Sequence, residues 1–184
     1  MRMFLAIELP DEVRKHLVGV QEKIVAELPD VSITKPENLH ITLKFLGEVD
    51  EKRQAELCES LRKVTAGPIE LTADRLVCFP PRGPFRIIAA AMSGSDRALS
   101  ALHAAIEQRC RYLGFEKETR KYQPHVTLAR SRRPVNPAGC RAGEDATAEC
   151  WPGPTFRLPE FVLMISRLHP HGSQYSVAQR FMLS

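Results

Sequence analysis

Apolar residues along this chain change period several times, and each change predicts an element. Phe4 to Ile7 is an unbroken apolar run of strand length, after which Val13, Leu17, Val20, Ile24 and Leu28 recur at the three- and four-residue spacing of one helix face. The same succession returns later: Ile87 to Met92 is apolar throughout, and Leu99, Leu102, Ile106, Cys110 and Leu113 follow at helical spacing. A shift of 85 residues lays Asp11 on Asp96, Leu17 on Leu102 and Leu28 on Leu113 with no gap. Asp11 and Asp96 (or Ser95) stand where a side-chain oxygen would cap the free N–H groups of a first turn. The pattern predicts one strand–helix–strand unit, stated twice.

The remaining segments read more coarsely. Glu51 to Ala66 is a helix with Leu57, Leu61 and Val64 on one side, and Ile69 to Phe79 alternates as a strand. Pro80-Pro81-Arg82-Gly83-Pro84 is a loop, since three prolines cannot continue a hydrogen-bonded ladder, and Phe85 to Met92 is the strand after it. Arg132 to Pro154 is rich in Pro and Gly and reads as, at most, a weak helix near Gly139 to Cys150. Phe156 to Arg167 and Ser173 to Leu183 read as strands joined by a tight hairpin at His169-Pro170-His171-Gly172. Together these give an α+β protein with antiparallel sheet in each half, and residues 1–184 form one two-lobed domain because no linker composition separates the halves.

Composition narrows the setting. Hydrophobic residues make up 43% of the 184, enough for a core and too many for a disordered chain. The formal charge of +4 allows attraction to phosphate polyanions without demanding it. Five scattered cysteines, an odd number with no C-x-x-C pair, read as reduced thiols. No apolar stretch reaches membrane-spanning length, and Arg2 and Glu8 interrupt the start too soon for a secretion signal. The expectation is a soluble, cytoplasmic monomer.

Each repeat ends in the same tetrad type, His40-Ile41-Thr42-Leu43 and His125-Val126-Thr127-Leu128. On a strand, residues two apart face the same way, so each copy presents an imidazole beside a hydroxyl. Two facing copies would make a cleft with two imidazoles able to share acid and base roles and two neutral hydroxyl donors. That set suits phosphodiester chemistry with no metal and no nucleotide cofactor. A Walker loop and a dinucleotide fingerprint are both missing from the chain. His169-x-His171 explains itself as a turn and is not taken as a metal site, while His16 and His103 fall on the helices and read as surface residues.

With its flanks included, the chain resembles the two-histidine (2H) phosphoesterases, and within them the RNA 2′,3′-cyclic phosphodiesterases long called 2′-5′ RNA ligases. The resemblance is carried by Arg2 to Pro10, by the block Lys35 to Glu48, by Tyr122 to Arg130, and by Ser166, Leu168, Gly172-Ser173 and Tyr175. It implies two pseudo-symmetric α+β lobes, each an antiparallel sheet with helices packed outside, the sheets lining a central groove. It implies metal-independent hydrolysis of 2′,3′-cyclic phosphate ends of RNA or nucleotides to 2′-phosphates, with ATP-independent 2′-5′ ligation as a side activity. His40 would protonate the leaving ribose 3′ oxygen and His125 would activate water.

Thr42 and Thr127 are then the expected donors to the phosphate oxygens. Arg130 is a candidate bidentate phosphate ligand and Phe45 a candidate for stacking on a nucleobase, although both point away from the cleft if their strands run unbroken. Tyr122 is a second stacking candidate. Lys35, Lys44, Arg120, Lys121, Arg132 and Arg133 cluster around the two motifs and are expected to follow an RNA backbone. Three rival readings are a 2H enzyme acting on another cyclic or 2′-5′ nucleotide, an RNA-binding module without turnover, and a metal-dependent hydrolase, which would lose activity in EDTA.

Overall fold

The computed structural model describes residues 1–170 and 172–183. Nine strands form it: β1 (Arg2–Glu8), β2 (Val31–Ile33), β3 (His40–Glu48), β4 (Glu70–Phe79), β5 (Phe85–Gly94), β6 (His125–Val135), β7 (Thr155–Arg157), β8 (Glu160–His169) and β9 (Gly172–Met182). Four helices accompany them: α1 (Asp11–Glu27), α2 (Glu51–Leu61), α3 (Asp96–Tyr112) and α4 (Pro137–Thr147). The antiparallel sheet runs β7-β4-β5-β6-β3-β1-β8-β9, with β2 added against β6. Four strands of that path belong to each half, and the halves meet where Ile41 of β3 stands opposite Val126 of β6.

The repeat inferred from spacing is present residue for residue. Both α1 and α3 are seventeen residues long, and their ends stand 85 residues apart. Neither aspartate caps its helix: Asp11 and Asp96 occupy the first helical position, and the capping positions, Pro10 and Ser95, make no side-chain cap bond. The Ser95 hydroxyl instead accepts from the Glu70 N–H, tying the start of α3 to β4. A cap is worth about 1 kcal/mol, whereas each fully buried aliphatic side chain contributes about 1.5–3 kcal/mol. Val13, Leu17, Val20 and Ile24 are all buried, so this face decides where α1 lies.

Each repeat helix packs behind the other half of the sheet. Helix α1 lies against α4 and β6, and the 3% exposed Gln21 donates from Nε2 to the carbonyls of Thr34 at 2.7 Å and Leu128 at 2.8 Å. Helix α3 lies by α2, and its Glu107 receives Lys44 of β3 at 2.7 Å, with the lysine side chain only 2% exposed. The main core fills the space between sheet and helices. A smaller cluster of Phe4, Ala6, Val162 and Met164 sits apart from it, with Tyr175 packed on it.

Several expectations need correction. The Pro/Gly-rich segment holds a well-formed helix, α4, because Pro137 sits in the first turn where no N–H is needed and the Asn136 side chain accepts from the Gly139 N–H. Helix α2 ends at Leu61, before Ala66, as the chain turns to bury Val64. The thiols are not all reduced: Cys140 on α4 is bonded to Cys78 on β4, with Cα atoms 6.3 Å apart, while Cys58, Cys110 and Cys150 stay free. Parity of cysteine number carried no information about that pair, which depends on α4 crossing β4. In the expected hairpin, His169 pairs with Gly172, and His171 lies outside the described residues.

The bridging role of Gln21 can be measured. Gln21→Leu keeps volume and helix propensity but withdraws a donor from the buried Leu128 carbonyl and the partly buried Thr34 carbonyl, so denaturant unfolding should show a loss of about 1–3 kcal/mol. A stability equal to wild type would mean the two carbonyls are satisfied without it.

Candidate active site

The pairing of Ile41 with Val126 joins the middle residues of the two His-x-Thr units. Because the strands are antiparallel, it sets the imidazole of each unit diagonally across from that of the other. His40, Thr42, His125 and Thr127 all line one cleft of about 300 Å³.

The geometry beyond the threonines depends on two bulges. Leu5 pairs with Lys44 but Ala6 pairs with Thr42, which leaves Leu43 extra in β3. Ile88 pairs with Ala129 but Ala89 pairs with Thr127, which leaves Leu128 extra in β6. The bulges fall 85 residues apart and reverse the side-chain alternation at the same point in each strand. Burial along the two strands accordingly begins with the same sequence of half-buried, buried and exposed positions. Phe45 and Arg130 therefore line the cleft, although an unbroken strand would aim both away from it. The Leu128 carbonyl freed by one bulge accepts from Gln21 and from the Thr34 N–H at 2.8 Å.

The histidines are held alike. Nδ1–H of His40 donates to the Asn38 carbonyl at 2.7 Å, and Nδ1–H of His125 donates to the Gln123 carbonyl at 2.7 Å. This fixes the tautomer of each neutral ring and leaves Nε2 as the free acceptor. For His40 the Thr42 hydroxyl donates to that nitrogen at 3.1 Å. The ring of Phe4 lies 5.0 Å from His40, Tyr175 meets His40 edge-on at 5.4 Å, and Phe79 lies 4.8 Å from His125. Burial lowers the His40 pKa below the ordinary 6.5; the Asn38 carbonyl opposes that shift, and the charges of Arg130 and His125 add to it.

Sequence reasoning missed several lining residues. Arg2, Phe4, Thr34, Asn38, Ser166, Ser173 and Tyr175 all face the cleft. The signal for the last three lay in the resembling tail segment, and for Arg2 in the opening block, but nothing local to them marks a site. They arrive through pairing: Arg2 stands opposite Ser166, and Ser166 opposite Tyr175.

Other candidates go elsewhere. Tyr122 does not reach the cleft; its ring stacks on His103 at 4.0 Å, and burial raises the pKa of its hydroxyl. His103 is thus half-buried rather than superficial, and burial lowers its pKa while Glu107 acts against that shift. His16 likewise packs edge-on against Trp151 at 5.9 Å. Lys44 belongs to the buried pair with Glu107, because the Leu43 bulge turns it behind the sheet, and it has no part in a basic surface. Among the described residues no three His, Cys, Asp or Glu side chains gather as a metal site requires.

Comparison with known proteins matches this geometry to one family. The family model for LigT-like phosphoesterases fits the chain twice, over residues 7–89 and 92–175. A Methanocaldococcus jannaschii protein named RNA 2′,3′-cyclic phosphodiesterase is 33% identical over 130 residues, 71% of each chain. A Thermus thermophilus protein of the same name is 32% identical over 193 aligned positions, covering 100% of this chain and 90% of the relative. A crystal structure of a Thermus thermophilus protein covers 100% of this chain and 98% of its own at TM-score 0.77 and 27% identity. That of Escherichia coli LigT complexed with 3′-AMP shares the fold at TM-score 0.79 and 24% identity, covering 100% of this chain and 98% of its own. Matched once in each half, with one His-x-Thr strand of the cleft in each match, this chain belongs to the LigT-like phosphoesterases.

Proposed function

We propose that the protein hydrolyses 2′,3′-cyclic phosphate ends of RNA, or of nucleotides, to 2′-phosphates without a metal ion. One observation carries this reading: two equivalent bulged strands bring His40, Thr42 and Phe45 to the same cleft as His125, Thr127 and Arg130. The names of the relatives from Methanocaldococcus jannaschii and Thermus thermophilus supply the substrate class.

In this mechanism the cyclic phosphate lies between the two imidazoles. His125 takes a proton from water as the water oxygen bonds to phosphorus, the bond from phosphorus to O3′ breaks, and His40 gives its proton to O3′. The products are a 2′-phosphate and a free 3′-hydroxyl, and the two rings exchange protons with solvent to reset. Thr42 and Thr127 donate to the non-bridging oxygens, on which charge builds in the transition state. Arg130 pairs with the phosphate, and the 72% exposed Phe45 offers a face to a base. A 5′-hydroxyl in place of water would give a 2′-5′ linkage by the same proton transfers, with no ATP consumed. We take the active unit to be a monomer, since one chain holds every group the reaction uses.

Turnover of a short RNA with a 2′,3′-cyclic phosphate end, followed in EDTA, tests this directly. His40→Ala and His125→Ala should each lose on the order of 10²–10⁴-fold in kcat, and Thr42→Val or Thr127→Val on the order of 10²-fold, while RNA binding persists. Wild type that binds the RNA yet never opens the ring would sink the proposal.

The pH profile of kcat/KM tests the electrostatic link between Arg130 and His40. One imidazole must be protonated and the other neutral, so the profile should be bell-shaped. Arg130→Gln removes a positive neighbour of His40, which should raise the His40 pKa and move one limb of the bell to higher pH. Two unmoved limbs would mean that Arg130 does not act on His40.

A further inference from the structure

Beyond Arg130, strand β6 leaves its neighbour. Ile87 pairs with Arg130, yet the next pair is Phe85 with Val135, so the four residues between Arg130 and Val135 face one residue of β5. The excess chain is thrown outward and, with Asp30 and Asn136, borders a second, more open cleft of about 630 Å³. Arg132 and Arg133 are exposed there. Exposed Arg86 joins them, holding the outward segment by donating from Nη1 to the Arg132 carbonyl at 2.8 Å.

The charges of this segment are uncompensated. Arg14, Arg75, Arg120 and Arg180 each stand within ion-pair distance of a carboxylate. Among the described residues none of Arg86, Arg130, Arg132 and Arg133 does, and Asp30 is the one acidic side chain bordering the cleft. Like charges held together without partners cost free energy through repulsion, which a polyanion would relieve. Arginine also suits phosphate in particular, through its planar fork of donors.

Position selects the polyanion. Arg130 lies in the catalytic cleft, and Arg132 and Arg133 follow two and three residues later on the same strand, at most about 7–10 Å of extended chain away. A substrate reacting at its terminal phosphate has to leave the catalytic cleft as a continuing chain of phosphodiesters. We propose that the RNA body adjoining the reacting end follows β6 into the second cleft, its phosphates met by Arg132 and Arg133 with Arg86 in support. This rests on the RNA reading above and adds to it a preference for oligonucleotides over mononucleotides.

The test compares wild type with Arg132→Gln/Arg133→Gln on two substrates, a 2′,3′-cyclic mononucleotide and an RNA oligonucleotide with the same terminus. The variant should keep wild-type kcat and KM on the mononucleotide, which also certifies its fold. On the oligonucleotide its KM should rise on the order of tenfold. Binding of a fluorescent RNA ending in a 3′-phosphate, titrated across salt concentrations, should lose about 0.7 per removed contact from the slope of log K against log salt. An unchanged oligonucleotide KM and salt slope would overturn the proposal and leave the surface for another partner, such as an acidic protein. An equal rise on both substrates would also overturn it, since the arginines would then act on the catalytic cleft. If wild type opens neither cyclic phosphate, the hydrolytic reading fails, while the salt slope still decides the RNA path by itself.

Discussion

Everything at the cleft depends on one backbone pairing, Ile41 opposite Val126. It joins the halves of the sheet at the midpoint of both His-x-Thr units, so a pseudo-twofold relation passes between them. Slipping this register by one residue would turn one of the two histidines to the helix side while the other stayed in the cleft, because side chains alternate at every step. The bulges at Leu43 and Leu128 then reset the alternation just past the threonines. The carbonyl freed at Leu128 is buried, and Gln21 and the Thr34 N–H both bond it. A single residue's displacement in the ladder thus decides which of two neighbouring side chains, Lys44 or Phe45, faces the cleft.

The symmetry is kept in the two His-x-Thr units and broken around them. The first bulge delivers Phe45 to the cleft and the second delivers Arg130. Behind the sheet, Lys44 in its pair with Glu107 stands where the second strand has Ala129. Gln21 stands where the second helix has Ile106. An apolar ring on one rim and a guanidinium on the other give the cleft a direction, so an asymmetric ligand has one preferred way to lie. In the proposed reaction that direction, rather than any difference between the two His-x-Thr units, sets which imidazole meets the leaving oxygen and which meets water. The lowered pKa of His40 comes first from burial, with the charge of Arg130 adding to it.

The repeat, the four chemical groups and the order of the main elements were legible in the sequence because periodicity and the two tetrads are local signals. The bulges were not. A strand reads as alternating until its partner is known, and only the pairing of β1 with β3 and of β5 with β6 exposes the extra leucines. That is why Phe45 and Arg130 pointed the wrong way on paper. Helix α4 was underrated because Pro137 and Gly139 count against a helix interior but are harmless in its first turn. Tyr122 was misplaced by its nearness in sequence to His125, when burial against His103 outweighs that nearness. Composition could not reveal that Cys78 and Cys140, 62 residues apart, would meet.

The crossed packing of α1 and α3 makes the two repeats dependent on each other. Each repeat supplies a helix that lies behind the other repeat's His-x-Thr strand, with Gln21 reaching Leu128 in one direction and Glu107 accepting from Lys44 in the other. A lone copy of the unit would expose the apolar face of its own helix, and its His-x-Thr strand would lose the helix that backs it. A change in either helix therefore acts first on the half of the cleft that the other repeat encodes.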